Sequence, residues 1–150
     1  MNTPNTSLAD EQPRIRRDVV ACVVRDGADV CLVRRSALVS HDRGRWHCVT
    51  GYLERRTQPS EAMLAELSEE LGLTADRVDA LRAGQVLRYV DDRVVWVVHT
   101  FVARTRQRRF RLNWENDSYA WVRNRSVPHP QVWWLADVCR SVGVDELEGG

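Results

Sequence analysis

Along this chain, short apolar runs alternate with polar breaks, and the spacing of the apolar positions changes character from one stretch to the next. From Asp18 the segment DVVACVVRDGADVCLVRRS holds two apolar, β-branched runs separated by Asp26 and Gly27. Aspartate followed by glycine between such runs marks a tight hairpin, because glycine accepts the positive φ of a primed turn. Strands are therefore predicted over 18–25 and 28–35. Residues 36–45, which include His41, Asp42, Arg43 and Gly44, read as a loop leading to a brief strand over 46–49 and a turn at Thr50 and Gly51.

The apolar spacing then becomes helical. Met63, Leu64, Leu67 and Leu71 share one sector of a helix that begins at Pro59 and closes at Gly72. Proline suits a first helical turn, Thr57 or Gln58 can cap it, and glycine suits the position just past the end. Thr74 to Leu81 reads as one further helical turn before a loop at Gly84. Strands over 85–90 and 93–104 follow, joined at Asp91 and Asp92, and the second is apolar on both faces, as suits a strand buried inside a covered sheet. A short strand over 119–122, a break at Pro128 and Pro130, and a helix over 131–142 with Val132, Leu135, Ala136 and Cys139 in one stripe complete the pattern. The polar ends, 1–16 and 143–150, read as flexible tails around one domain over 17–142.

Composition adds limits. A chain of 150 residues, 43% hydrophobic and with six tryptophans, is long enough for a sizeable core. Its net charge of +1 gives no bulk attraction for nucleic acid, and the arginine run from Arg104 to Arg111 reads as a solvated strand end. All 22 basic residues are arginine, which excludes a lysine Schiff base or a P-loop lysine. Cys22, Cys31, Cys48 and Cys139 stand far apart, the pattern of reduced, buried thiols in a cytoplasmic protein rather than of zinc or disulfides. Neither a signal core nor a run long enough to span a membrane is present. His99 and Trp96 read as core residues of their strand, and His129, between two prolines, as a surface residue.

Candidate chemistry sits on the first helix. Glu66, Glu69 and Glu70, at spacings of three and four, fall within roughly one 100° sector beside the apolar one. Like charges at that spacing disfavour a helix by roughly 0.2–0.5 kcal/mol per pair, unless a cation offsets them. Carboxylate oxygens suit hard divalent cations such as Mg²⁺ or Mn²⁺. Read alone, the cluster is better taken as a solvated acidic face than as a metal site.

The stretch from Gly51 to Leu73 resembles the Nudix box, G-x5-E-x7-R-E-U-x-E-E-x-G-U with U a bulky aliphatic residue, on Gly51 and on Glu66-Leu67-Ser68-Glu69-Glu70-Leu71-Gly72-Leu73. Trp46, Glu54, Pro59, Glu61 and Ala62 are similar to the family's flanking residues, and the hairpin, later strands and C-terminal helix extend the likeness over most of 18–142. Two box positions depart from the pattern: Thr57 replaces the first glutamate and Ala65 the arginine, while Val49 and Thr50 stand where proline and glycine are common. In the family the two missing residues help hold the acidic side chains, so Arg55, Arg56 or another arginine is expected to take over that work.

The resemblance implies an α/β protein, a Nudix-like α/β/α sandwich around a central mixed β-sheet. It implies a metal-dependent hydrolase that cleaves a diphosphate linkage in a nucleoside diphosphate-X type substrate, with Mg²⁺ or Mn²⁺ held by Glu66, Glu69 and Glu70. The general base is expected among Glu66, Glu70, Glu115 and Asp117, with Glu115 preferred as the loop candidate. Substrate contacts are expected from Arg34, Arg35 and Trp46, with Tyr89, Trp96 or Trp114 as further stacking surfaces for a base. The alternative implied by Thr57 and Ala65 is a catalytically impaired, nucleotide-binding sensor or regulatory module. A small-molecule partner, no membrane, no nucleic acid and a possible homodimer complete these expectations.

Overall fold

The computed structural model describes residues 14–123 and 128–144. Seven strands form one mixed sheet with a helix on each side. Strand β1 (Ile15–Asp26) runs parallel to β6 (Val94–Arg104) along its whole length. Strand β5 (Ala80–Asp91) pairs antiparallel with the outer side of β6. The other edge of β1 is shared. Near the hairpin turn it pairs with β2 (Asp29–Arg35), Val24 against Cys31, and further along it pairs with β4 (Val49–Tyr52), Val19 against Tyr52. Strand β2 diverges at that point, pairing with β3 (Trp46–His47) on one edge and β7 (Asn116–Arg123) on the other. The β3–β4 segment is thus a wedge between two parting strands, and it brings His47, Thr50 and Gly51 to the cleft where they part.

The core explains why β1 is apolar throughout. Val19, Ala21 and Val23 face a cluster with Val98, Leu135 and Val138, while Val20, Cys22 and Val24 face one with Met63, Leu67, Leu71 and Phe101. A strand covered on both faces has no solvent side on which to place polar residues. The first cluster is closed by helix α2 (Leu135–Ser141) and the second by helix α1 (Pro59–Leu71), giving the α/β/α layering expected from the sequence. Helix α1 starts with Pro59 after Gln58 and ends at Gly72, whose φ of 66° lets its N–H reach the Ser68 carbonyl at 3.0 Å. All four cysteines are buried and free.

Several boundaries moved for a common reason, the need of strand edges for hydrogen-bond partners. Thr50 and Gly51 are not a turn; they pair with Ala21 and Val20 on the exposed part of the β1 edge. The helical turn expected over 74–81 shrinks to a 3₁₀ turn at Ala75–Arg77, because Ala80 and Leu81 already pair with Arg104 and Ala103. Strand β7 likewise extends to Asn116, and β1 takes in Ile15 and Arg16, which read as tail in the sequence. Helix α2 begins at Leu135 rather than 131, since Gln131 bridges to Trp46 and the Val132 N–H donates to the Trp46 carbonyl at 2.9 Å. Most of the two expected tails lies outside the described residues.

Candidate active site

Glu70 projects from the apolar side of α1, in line with Met63, Leu67 and Leu71, and is 2% exposed. One of its oxygens, Oε1, accepts a hydrogen bond from the Asn116 side-chain amide at 3.0 Å. The other, Oε2, is buried with no donor. Glu66, one turn earlier and half-buried, lies in hydrogen-bonding contact with Glu70. It also rests on Gly51: a Cβ at that position would stand 2.2 Å from Glu66 Cδ. Only glycine leaves room there for the carboxylate, which gives the box glycine its physical reason.

Burial pushes the Glu70 carboxyl well above the usual range, and contact with Glu66 and the charges of Glu115 and Glu66 add to it, while Asn116 opposes the shift. Glu66 is raised as well, first by burial and then by Glu69 and Glu115, though its contact with Glu70 works the other way. Two carboxyls this close and this dry cannot both be ionised without a positive partner, so they hold either a proton or a cation between them. No ion pair among the described residues joins an arginine to Glu66, Glu69 or Glu70. Arg16, Arg34, Arg108, Arg123 and Arg140 pair instead with Asp18, Asp26, Asp29, Asp117 and Asp137. The expected stand-in for the missing box arginine is therefore not formed; a neutral amide, Asn116, holds Glu70 in its place.

Glu69 is exposed and reaches the pair through its charge on Glu66. As the side chains stand, no three His, Cys, Asp or Glu groups among the described residues converge on one point. An oxygen-only donor set with an orphaned buried carboxylate oxygen nonetheless suits a hard divalent cation.

Glu115 enters from the loop before β7. Its N–H donates to Asn113 Oδ1 at 3.1 Å, and its carbonyl accepts from the Ser36 N–H at 2.8 Å. The Ser36 hydroxyl donates to the Trp114 carbonyl at 2.7 Å, so the end of β2 fixes this loop. Glu115 and Arg35 line a cleft of about 620 Å³ together with Thr50 and Gly51. Much of the remaining wall is aromatic, with Tyr52, Tyr89, Trp96, Trp133 and Trp134, and Asp42 and Asp91 also line it. Trp133 meets Tyr89 edge-on at 4.9 Å, and Tyr89 donates its hydroxyl to Asp137 at 2.6 Å. His47 lies in the same wall, 2% exposed, edge-on to Trp134 at 4.5 Å and with neither ring nitrogen hydrogen-bonded. Burial, aided by the Arg35 charge, lowers its pKa to about 3, so the ring is neutral.

The other sequence candidates sit elsewhere. Arg34 is paired with Asp117 at 2.8 Å and does not line the cleft. Trp46 packs on the core cluster behind α2, and its backbone anchors Pro130 and Val132. Trp114 is 60% exposed and outside the cleft. Tyr52, Trp133, Trp134, His47 and Asn116 went unread in the sequence. Only the Trp133–Trp134 doublet carried a local signal, two large aromatics side by side before a short helix. His99, half-buried, bonds Asp18 at 2.9 Å, and His129 is exposed.

The sequence matches the NUDIX domain family over residues 15–141. No curated protein matches it. Among solved structures, a MutT NUDIX hydrolase from Burkholderia pseudomallei superposes with a TM-score of 0.72 at 17% identity, covering 85% of this chain and 98% of that one. A MutT protein from Methanosarcina mazei Go1 gives a TM-score of 0.62 at 18% identity, covering 75% and 80% of the two chains. A NUDIX hydrolase from Nitrosomonas europaea gives 0.58 at 17%, covering 78% and 62%. These likenesses share the mixed sheet between helices, and the domain match spans both the acidic helix and the cleft. The chain belongs to the Nudix family of pyrophosphohydrolases.

Proposed function

We propose that the protein is a divalent-metal-dependent hydrolase cleaving a diphosphate linkage in a nucleoside diphosphate-X type substrate, and that it works in the cytoplasm. The observation that carries this reading is the Glu66–Glu70 pair, set against Gly51 with a buried Glu70 oxygen lacking any donor, while Gly51 and Glu115, which both act on the pair, also line the cleft. Glu66 and Glu70, with Glu69 nearby, would hold Mg²⁺ or Mn²⁺. Bound there, the cation supplies charge neutralisation for the diphosphate and acidity for water. Arg35, which lines the cleft, would orient the phosphate oxygens. Glu115, half-buried and held by Asn113 and Ser36, takes the proton of the attacking water as general base. The aromatic walls bind the planar part of the substrate and exclude water from the reacting end.

A screen over nucleoside triphosphates, dinucleoside polyphosphates, nucleotide sugars and isoprenoid diphosphates tests this. Turnover with Mg²⁺ or Mn²⁺ and its loss in Glu70→Gln are expected. Full activity in that variant, or no turnover across the panel, would sink the reading. The absence of an arginine on the glutamates favours a second reading, a binding module with impaired chemistry. Tight nucleotide binding without turnover, indifferent to metal, would select it.

A further inference from the structure

Beyond Tyr52 lies a second concavity of about 730 Å³, walled by Arg16 and Arg17 of β1 and by the chain from Tyr52 to Thr57. Tyr52 lines both this groove and the catalytic cleft. Strand β4 therefore leads from one to the other, and the four steps of chain from Gly51 to Arg55 span at most about 14 Å.

The groove is electropositive for a specific reason. Arg16, Arg17, Arg55 and Arg56 stand there against Asp18 and Glu54. Asp18 is already engaged by Arg16 at 2.7 Å and by His99 at 2.9 Å. Arg17, Arg55 and Arg56 form no ion pair among the described residues. Guanidinium forks match phosphate oxygens in geometry as well as charge. Thr57 completes the wall at the position where the Nudix box has glutamate. A carboxylate there would pair with the arginines and repel an incoming anion, whereas threonine offers a hydroxyl and no charge.

We infer that this groove binds the distal phosphates of an extended substrate, whose phosphate chain continues past the linkage that is cut, and that Thr57 keeps the groove receptive. Assigning the anion to the substrate rests on the hydrolase reading above; anion binding itself does not. Calorimetric titration with inorganic tripolyphosphate, in EDTA so that the acidic site plays no part, tests the groove. Wild type binds, and Arg55→Ala/Arg56→Ala and Thr57→Glu each weaken binding at least about tenfold, roughly 1.4 kcal/mol, with folding checked by thermal melting. Affinity unchanged in the arginine variant overturns the groove even if Thr57→Glu fails to fold. In turnover of a dinucleoside polyphosphate, tripolyphosphate raises KM and leaves kcat alone. A fall in kcat at constant KM overturns the substrate assignment and points to a separate regulatory anion. An enzyme inactive on every substrate defeats the hydrolase reading and the substrate assignment together, while the titration still decides anion binding in the groove.

Discussion

Asn116 and His47 are both neutral polar side chains in a buried setting, and each controls a charge. Asn116, 5% exposed, gives Glu70 its hydrogen bond without neutralising it. Removing that donor takes from Glu70 the amide that bonds its Oε1 and frees its orientation. Partners of metal-binding carboxylates commonly contribute 10–100-fold in affinity, so Asn116→Leu is expected to weaken Mn²⁺ binding by about that much. Electron paramagnetic resonance of free Mn²⁺ without substrate would measure it, and unchanged affinity would rule the role out. His47 acts on stability. Its folded pKa of about 3 lies below the ordinary 6.5, so the unfolded chain takes up the proton first as pH falls. The stability tied to a neutral His47 is complete above about 6.5 and is lost toward about 3, at about 1.4 kcal/mol per pH unit. His47→Phe should flatten that acid slope in urea melts taken across the window.

At the level of elements, the candidate active site is an agreement between α1 and β4. The helix supplies Glu66 and Glu70, and the strand supplies a surface without a Cβ at Gly51. Gly51→Ala would force a methyl against Glu66 Cδ, and overpacking of this kind costs about 1–3 kcal/mol. Because the strand is paired with β1 through Val20 and cannot retreat, Glu66 is the group that moves. The expected outcome is a larger loss in kcat than in stability, read by comparing turnover with melting temperature. A drop in melting temperature alone, with turnover intact, would mean the two elements are not coupled as described.

For the whole molecule, stability and function pull on the same carboxyls. Both Glu66 and Glu70 have folded pKa values raised above the ordinary 4.5. The stability linked to them is therefore full below about 4.5 and is lost as pH rises toward the folded values. If, as proposed, a divalent cation takes the place of the shared proton, Mg²⁺ should raise the melting temperature more at about pH 8 than at about pH 6. Glu70→Gln should raise the metal-free melting temperature at the higher pH, remove most of the Mg²⁺ effect and abolish turnover. Thermal denaturation of both proteins in EDTA and in Mg²⁺ checks the three outcomes at once. This slope opposes that of His47 where the two windows overlap, and the single variants separate them.

The sequence by itself determined the hairpin, the apolar run of β1, the helix from Pro59 to Gly72 and the grouping of Glu66 with Glu70, because each is written in neighbouring residues or in helical spacing. It also exposed the two unusual box positions, Thr57 and Ala65. What it could not carry was anything that depends on which strand edges meet. Asn116 reaches Glu70 across 46 positions of chain. The cleft gathers aromatics from β4, β5, β6 and the segment before α2. Trp46 and Arg34, plausible by residue type, were taken by backbone anchoring and by Asp117. Even the helix face was decided in three dimensions. Spacing placed Glu70 beside the apolar stripe, and packing against the sheet turned it inward among leucines, where burial makes a carboxylate demand a partner.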